Sequence, residues 1–227
     1  MNKIIASFCL LFFSVNLLFA QQQKIEEKTF AWNANRSAKM NLKFASDIKV
    51  SSWDKSELLL KTIITYEKEA HLKIHQMEIQ EMGSQLIIET DYAKNFFNNK
   101  KYNCWSCDED DQNEYGDCIC FKLEFEIMMP KGADLTLETI AGNIELKNIK
   151  GPVKAKSISG FIDLGMKESL ASNLYFKSVT GEIYTDFDVE LDKSSNAFNK
   201  HLTAALNGGG AAIDLETVSG DIFFRKK

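Results

Sequence analysis

The sequence predicts an all-β chain: a single-domain β-solenoid of short stacked strands with glycine corners, preceded by an N-terminal β region that packs on it or caps it. Three observations carry that expectation. Residues 135–144, 153–162, 174–183 and 213–222 share one pattern, and alignment on Gly142, Gly160, Gly181 and Gly220 turns them into columns. Ile144, Ile162, Ile183 and Ile222 stand two places after the glycine, while Leu137, Ala155, Phe176 and Leu215 stand upstream of it, as do Leu135, Val153, Leu174 and Ile213. Within each segment apolar and polar residues alternate, which is the period of a strand.

The glycines are 18, 21 and 39 residues apart, the last interval close to two units. A period of this length points to a stacked array in which each unit buries its apolar face against its neighbours. Independent hairpins would not need matching columns every ~20 residues. Ile140, Ile158, Val179 and Val218 form a further column two places before the glycine. That column implies a phase change after Leu137, hence a bend or bulge. The glycine itself marks a corner that needs a positive φ or a close backbone approach.

Three regions follow from the chain taken in order. Residues 1–20 carry Lys3, then an apolar run from Ile4 that ends at Ala20 before Gln21. This is the profile of a secretory signal peptide cut after Ala20, with Cys9 removed along with it. The run is short for a permanent span, so no stable membrane span is expected after its removal. Residues 21–134 form the N-terminal β region. Phe30 and Trp32, then Met40, Leu42 and Phe44, alternate as half-buried strands do. Trp53, before Asp54, Lys55 and Ser56, is read as a cover for one end of a core. Residues 57–66 read as a longer strand, and 67–76 are ambiguous between strand and helix. His71 and His75 are four apart, half of a metal site if helical, and are read as ordinary side chains because no further ligand has a fixed relation to them. A hairpin is expected to turn at Gly83 and Ser84. A polar, cysteine-bearing insert spans 91–120, and strand alternation resumes through Phe121, Leu123, Phe125, Ile127 and Met129. Residues 135–227 are the repeats, which lose register between Phe187 and Gly210. The C-terminal Arg225, Lys226 and Lys227 read as a solvated tail.

The segment 208–222 (Gly-Gly-Gly-Ala-Ala-Ile-Asp-Leu-Glu-Thr-Val-Ser-Gly-Asp-Ile) resembles the ending of an adhesin-like family of exported bacterial proteins with no assigned function. Residues 47–58, with Trp53 at their centre, resemble that family's opening block. The resemblance covers most of the chain after the signal peptide. It implies an all-β, solenoid-like envelope protein and carries no catalytic residues over. The insert at 91–120 and the ragged stretch 184–210 depart from the family pattern.

Composition excludes several classes. The net charge is −5, and the three-residue basic end is the only cationic run, so a nucleic-acid partner is not expected. Cys104, Cys107, Cys118 and Cys120 remain after export into an oxidising compartment, where four thiols normally become two disulfides. Cys118 and Cys120 lie too close on one strand face to bridge each other easily, so each is expected to pair with one of Cys104 and Cys107. The enclosed loops are short, and each bond would contribute about 3 kcal/mol. A tetrathiolate zinc site at the same four cysteines is the alternative. The acidic residues 108–111 lack calcium-loop spacing and read as a solvated tip.

No catalytic set stands out. The outward column Glu138, Lys156, Lys177 and Glu216 mixes signs, which suggests a charge ladder and not a catalytic carboxylate pair. The expected function is therefore non-enzymatic and needs no cofactor: an adhesin-like binding or structural module, exported to the periplasm or the cell surface. Its partner would be an unknown envelope or surface ligand, protein or glycan. Two alternatives stand beside it. A polysaccharide-active β-helix enzyme would show outward carboxylates clustered over a groove. A metal- or redox-responsive envelope sensor would show four sulfurs converging on one point.

Overall fold

A computed structural model of the chain describes residues 22–94, 121–189, 196 and 199–227. Sixteen strands are described: β1 (Gln22–Ala31), β2 (Ser37–Leu42), β3 (Asp47–Trp53), β4 (Glu57–Tyr66), β5 (His75–Met82), β6 (Gln85–Tyr92), β7 (Phe121–Pro130), β8 (Asp134–Thr139), β9 (Asn143–Lys147), β10 (Val153–Ser157), β11 (Ile162–Met166), β12 (Ser172–Ser178), β13 (Ile183–Thr185), β14 (Lys200–Leu206), β15 (Ala211–Thr217) and β16 (Ile222–Lys226). The only helical element among the described residues is one 3₁₀ turn, Glu69–Lys73. It occupies the stretch left open between strand and helix. The hairpin β5–β6 turns at Gly83 and Ser84, with Gly83 at φ +58°.

The strands form two eight-stranded sheets. The first runs β1-β4-β7-β3-β9-β11-β16-β13, and the second β14-β12-β15-β10-β8-β2-β6-β5. Five stretches of chain each give one strand to each sheet: β2/β3, β8/β9, β10/β11, β15/β16 and β12/β13. Neighbouring stretches pair in parallel in both sheets. Their spatial order is not their order along the chain. After β13 the chain adds β14 antiparallel to β12 at the sheet edge, then returns to insert β15/β16 between β10/β11 and β12/β13. That detour fills the 39-residue spacing from Gly181 to Gly220.

The interior consists of rungs. In the first sheet Phe125, Ile48, Ile144, Ile162, Ile222 and Ile183 lie side by side on consecutive strands. In the second sheet Ile88, Met40, Leu137, Ala155, Leu215, Phe176 and Leu202 do the same. Ile144, Ile162 and Ile222 are 0% exposed and Ile183 is 9%. Side chains of both sheets belong to one core cluster, and Phe176 of β12 meets Phe224 of β16 edge-on at 5.3 Å between ring centroids. Full burial of an aliphatic side chain is worth about 1.5–3 kcal/mol, so each rung contributes many times the stability of any surface contact.

The corner differs from expectation. No phase change follows Leu137, because the alternation continues through Thr139, which is buried. Its counterparts Ser157, Thr217 and Ser178 are each 0% exposed. The column Ile140, Ile158, Val179 and Val218 consequently faces outward: Ile158 is 45% exposed and the other three are half-buried. A buried hydroxyl without a partner is costly, and these have partners. Thr139 Oγ1 donates to the Leu42 carbonyl at 2.8 Å, Ser157 Oγ to the Gly142 carbonyl at 3.0 Å, and Ser178 Oγ to the Gly220 carbonyl at 2.9 Å. Each of these bonds crosses to the neighbouring unit.

The glycine corner follows from close approach, not from positive φ. A Cβ at Gly160 would lie 2.8 Å from the carbonyl carbon of Gly142, and one at Gly220 would lie 2.6 Å from that of Gly160. At Gly181 it would lie 2.5 Å from the Gly220 carbonyl carbon. The four glycines stack backbone on backbone in the order Gly142, Gly160, Gly220, Gly181, which matches the strand order of both sheets.

Candidate binding surface

The outward faces carry what the interior leaves unspecified. On the second sheet one outward row reads Glu89, Asn41, Glu138, Lys156, Glu216, Lys177 and His201 across β6, β2, β8, β10, β15, β12 and β14. Insertion of β15 places Glu216 between Lys156 and Lys177. Glu216 is 3.4 Å from Lys156 and 3.9 Å from Lys177, and Lys154 meets Asp214 at 3.2 Å in the adjacent row. The expected charge ladder is therefore an alternating one.

The first sheet has a comparable row with a different ending. Across β4, β7, β3, β9, β11, β16 and β13 it reads Lys61, Glu126, Lys49, Glu145, Asp163, Phe223 and Tyr184. Charges alternate as far as Glu145, and Lys61 bridges Glu126 at 2.7 Å. From β16 onward the row turns aromatic. The rings of Tyr184 and Phe223 stack at 5.3 Å with 12° between their planes, and Phe161 meets Phe223 edge-on at 6.0 Å. Tyr184 is 50% exposed.

Arg225 ties this cluster to the sheet. Its Nε donates to Asp163 Oδ1 at 2.9 Å, and its second guanidinium nitrogen bonds Asp163 Oδ2. Its guanidinium carbon also lies 5.8 Å from the centre of the Phe223 ring. The hydrogen bond to Asp163 raises the Arg225 pKa further above its ordinary value, so the cation is permanent. Asp163 is 6% exposed although its strand face points outward. The basic end is thus not a free tail: β16 runs through Lys226, whose Nζ pairs with Glu168 at 3.0 Å, and Lys227 N–H donates to the Met166 carbonyl at 3.0 Å. Sequence reasoning missed this cluster. The available signal was Phe223 and Tyr184 standing at outward positions that hold charged residues in the units toward β4.

Other candidate residues lie elsewhere. Cys104, Cys107, Cys118 and Cys120 and the acidic run 108–111 fall outside the described residues. Among the described residues no three His, Cys, Asp or Glu side chains are grouped to hold a metal ion. His71 is buried in the 3₁₀ turn and His75 begins β5. Burial pushes the His75 imidazole down to about 4, so it is neutral at physiological pH. Trp53 is partly exposed and clasps its own turn, donating from Nε1 to the Glu57 carbonyl at 2.7 Å. A groove of about 230 Å³ on the outward side of β5 and β6 is lined by Lys43, Gln76, Met77, Glu78, Glu89, Thr90 and Asp91. Asp91 pairs with Lys43 at 2.8 Å. Hydrogen bonds from Lys43 and the Tyr92 backbone hold its carboxyl below the usual range, the opposite of what a general acid needs.

Two eight-stranded sheets around one dry core, with corner glycines stacked and an aromatic cluster at one end of an otherwise charged face, define an all-β protein. The chain belongs to the Toastrack DUF4097 family, whose model matches residues 33–224. Among solved structures it is similar to that of a candidate cell adhesion protein from Clostridium sporogenes, with a TM-score of 0.55 and 12% identity, over 91% of this chain and 100% of that one. It also matches a candidate adhesin from Bacteroides fragilis, with a TM-score of 0.32 and 10% identity, over 90% of this chain and 97% of that one. No curated protein matches. Among the described residues no helix is long and apolar enough to cross a membrane.

Proposed function

We propose that this chain is a non-enzymatic, exported binding module of the bacterial envelope, a β-solenoid that meets its partner through the aromatic end of its first sheet. The observation that carries the proposal is the cluster of Phe161, Phe223, Tyr184 and Arg225. Elsewhere on that face charges neutralise one another in rows, whereas here the half-exposed Tyr184 ring, with the half-buried Phe161 and Phe223 rings, meets solvent beside the Arg225–Asp163 pair. Tyr, Phe and Arg are the residue types enriched where proteins bind proteins, so a protein ligand is favoured over a glycan. The cell-adhesion description of the Clostridium sporogenes structure agrees with a binding role.

The rest of the reading completes this picture. Residues 1–20 act as the signal peptide, and residues 21–134 extend and cap the stack formed by 135–227. Cys104 and Cys107 each pair with one of Cys118 and Cys120. A thiol count by mass spectrometry on exported protein, with and without chelator, tests the last point: chelator-released free thiols would replace the disulfides with zinc.

The binding role is tested by capture of envelope proteins and of envelope polysaccharide from the producing bacterium on the immobilised protein. Tyr184→Ala combined with Phe223→Ala should lose protein capture by about tenfold or more, as truncation of aromatic anchors does. Capture equal to wild type would reject the surface, and polysaccharide capture lost by the same variant would change the ligand class.

A further inference from the structure

The structure also has a second unsaturated feature, at the opposite end of the first sheet. Strand β1 pairs with β4 over all ten of its residues and, among the described residues, has no strand on its other side. A row of free backbone donors and acceptors is a template for another strand. Four strands end the two sheets: β1, β13, β14 and β5. Of these β13 has only three residues, β5 carries Glu78 and Glu81 with no lysine, and β14 carries Lys200 with no carboxylate. Only β1 carries both signs, in the run Lys24, Ile25, Glu26, Glu27, Lys28.

That run is complementary to itself. In an antiparallel pair, directly opposed side chains share a sheet face. A register centred on Ile25 sets Ile25 against its own copy and Lys24 against Glu26 of the second copy, twice by symmetry. The same register sets Gln22 opposite Lys28 and Gln23 opposite Glu27. No like charges face each other. Ile25 is 55% exposed, and self-pairing sets it against its own copy. Lys24 and Glu26 pair at 2.7 Å within the strand, so both side chains lie on one face of β1, where the second copy's Glu26 and Lys24 would meet them.

We infer that β1 is a self-association edge: two copies of this chain join antiparallel through β1, centred on Ile25, into one continuous sheet. The two-fold axis makes the interface closed, so association stops at two. Because β1 and the pair β16, β13 lie at opposite ends of the sheet, both aromatic clusters stay uncovered in the dimer.

Sedimentation velocity of the purified protein over a concentration series tests this. The expected result is a concentration-dependent monomer–dimer equilibrium. Glu26→Lys alone sets lysine against lysine at two symmetric places and should raise the dissociation constant about tenfold or more. Lys24→Glu combined with Glu26→Lys reverses both signs, restores complementarity and should recover the dimer. Ile25→Lys, at an exposed site, should give monomer with an unchanged circular dichroism spectrum. A wild type that is monomeric throughout, a dimer indifferent to Glu26→Lys, or a charge-reversed pair that stays monomeric would each overturn the inference.

Discussion

Replacing Gly160 with alanine tests whether the corner is governed by backbone contact. The new Cβ would lie 2.8 Å from the Gly142 carbonyl carbon and nearer still to its oxygen, where carbon atoms ordinarily rest about 3.5–4.0 Å apart. Both offending atoms are main chain, so the two units must separate by roughly 1 Å. Three of the hydrogen bonds that span that seam lie just before Gly160: Ile158 N–H to Thr139 O at 3.3 Å, Ser159 N–H to Ile140 O at 2.8 Å, and Ser157 Oγ to Gly142 O at 3.0 Å. At about 1 kcal/mol net each, their weakening costs up to about 3 kcal/mol. Gly160 does not have positive φ, so alanine gains about 0.4–1 kcal/mol from a less flexible unfolded chain. The balance is a loss of about 2 kcal/mol, or a fall in Tm of about 4–8 °C for a chain of this size. Thermal unfolding followed by circular dichroism measures it. Gly83→Asn is the control, at a turn with φ +58° and nothing within 4 Å of a new Cβ, and should be near neutral. If Gly160→Ala melted with Gly83→Asn, the contact account of the glycine column would be wrong.

Ile144→Asp puts a carboxylate into a site that is 0% exposed between Ile48 and Ile162 and should yield no folded protein. Ile183→Asp, on the short outermost β13 and 9% exposed, should cost less; soluble yield and far-ultraviolet spectra rank the two, and equal stability to wild type would contradict the inward assignment. Lys156→Glu sets a third carboxylate between those of Glu138 and Glu216 and should destabilise by about 1 kcal/mol at low salt, shrinking as salt rises; a salt-independent loss would assign the effect to packing. For His75 the folded value of about 4 lies below the ordinary 6.5, so the unfolded chain takes up the proton first. Its share of stability is whole above about pH 6.5 and is lost as pH falls toward 4, by about 2 kcal/mol after allowance for partial solvation. Urea midpoints against pH should show His75→Leu flatter than wild type in that window, and parallel curves would remove His75 as the cause.

What could be read from the sequence was the interior. Leu137, Ala155, Phe176 and Leu215, with the isoleucines after each glycine, are repeated because every unit faces the same dry environment, and hydrophobic repetition is visible in one dimension. The hydroxyl column was misread for a physical reason. Thr139, Ser157, Ser178 and Thr217 look like solvent residues, and Ile140 and Ile158 beside them look like core. A carbonyl of the neighbouring unit, supplied in three dimensions, satisfies Thr139, Ser157 and Ser178, while Thr217 bonds the Gly220 carbonyl of its own corner. The aromatic cluster was illegible because its members come from three stretches of chain, Phe161, Tyr184 and Phe223 with Arg225, which become adjacent only once β16 lies between β11 and β13.

The order of the units is decided outside the core. Interior residues are nearly interchangeable from unit to unit: Leu/Val/Ile, Leu/Ala/Phe, Ser/Thr, Gly, Ile. They define a stack without saying which unit follows which. The outward residues do differ. Stacking in chain order would place β12 against β10, with Lys156 beside Lys177, and would leave Lys154 without Asp214. It would also separate Arg225 from Asp163, since their bond requires β16 next to β11. Inserting β15/β16 satisfies all three at once. Cross-strand pairs are each worth about 0.2–1 kcal/mol, too little to build a core but enough, summed over three contacts, to choose between cores of equal quality. The consequence is kinetic as well. Val153 of β10 waits for Ile213, sixty positions further along the chain, so the array cannot close by adding each unit to the last. Its final seam forms only when the C-terminal strands enter it, which couples the middle of the molecule to its end and makes the stack one cooperative body despite its repetitive interior.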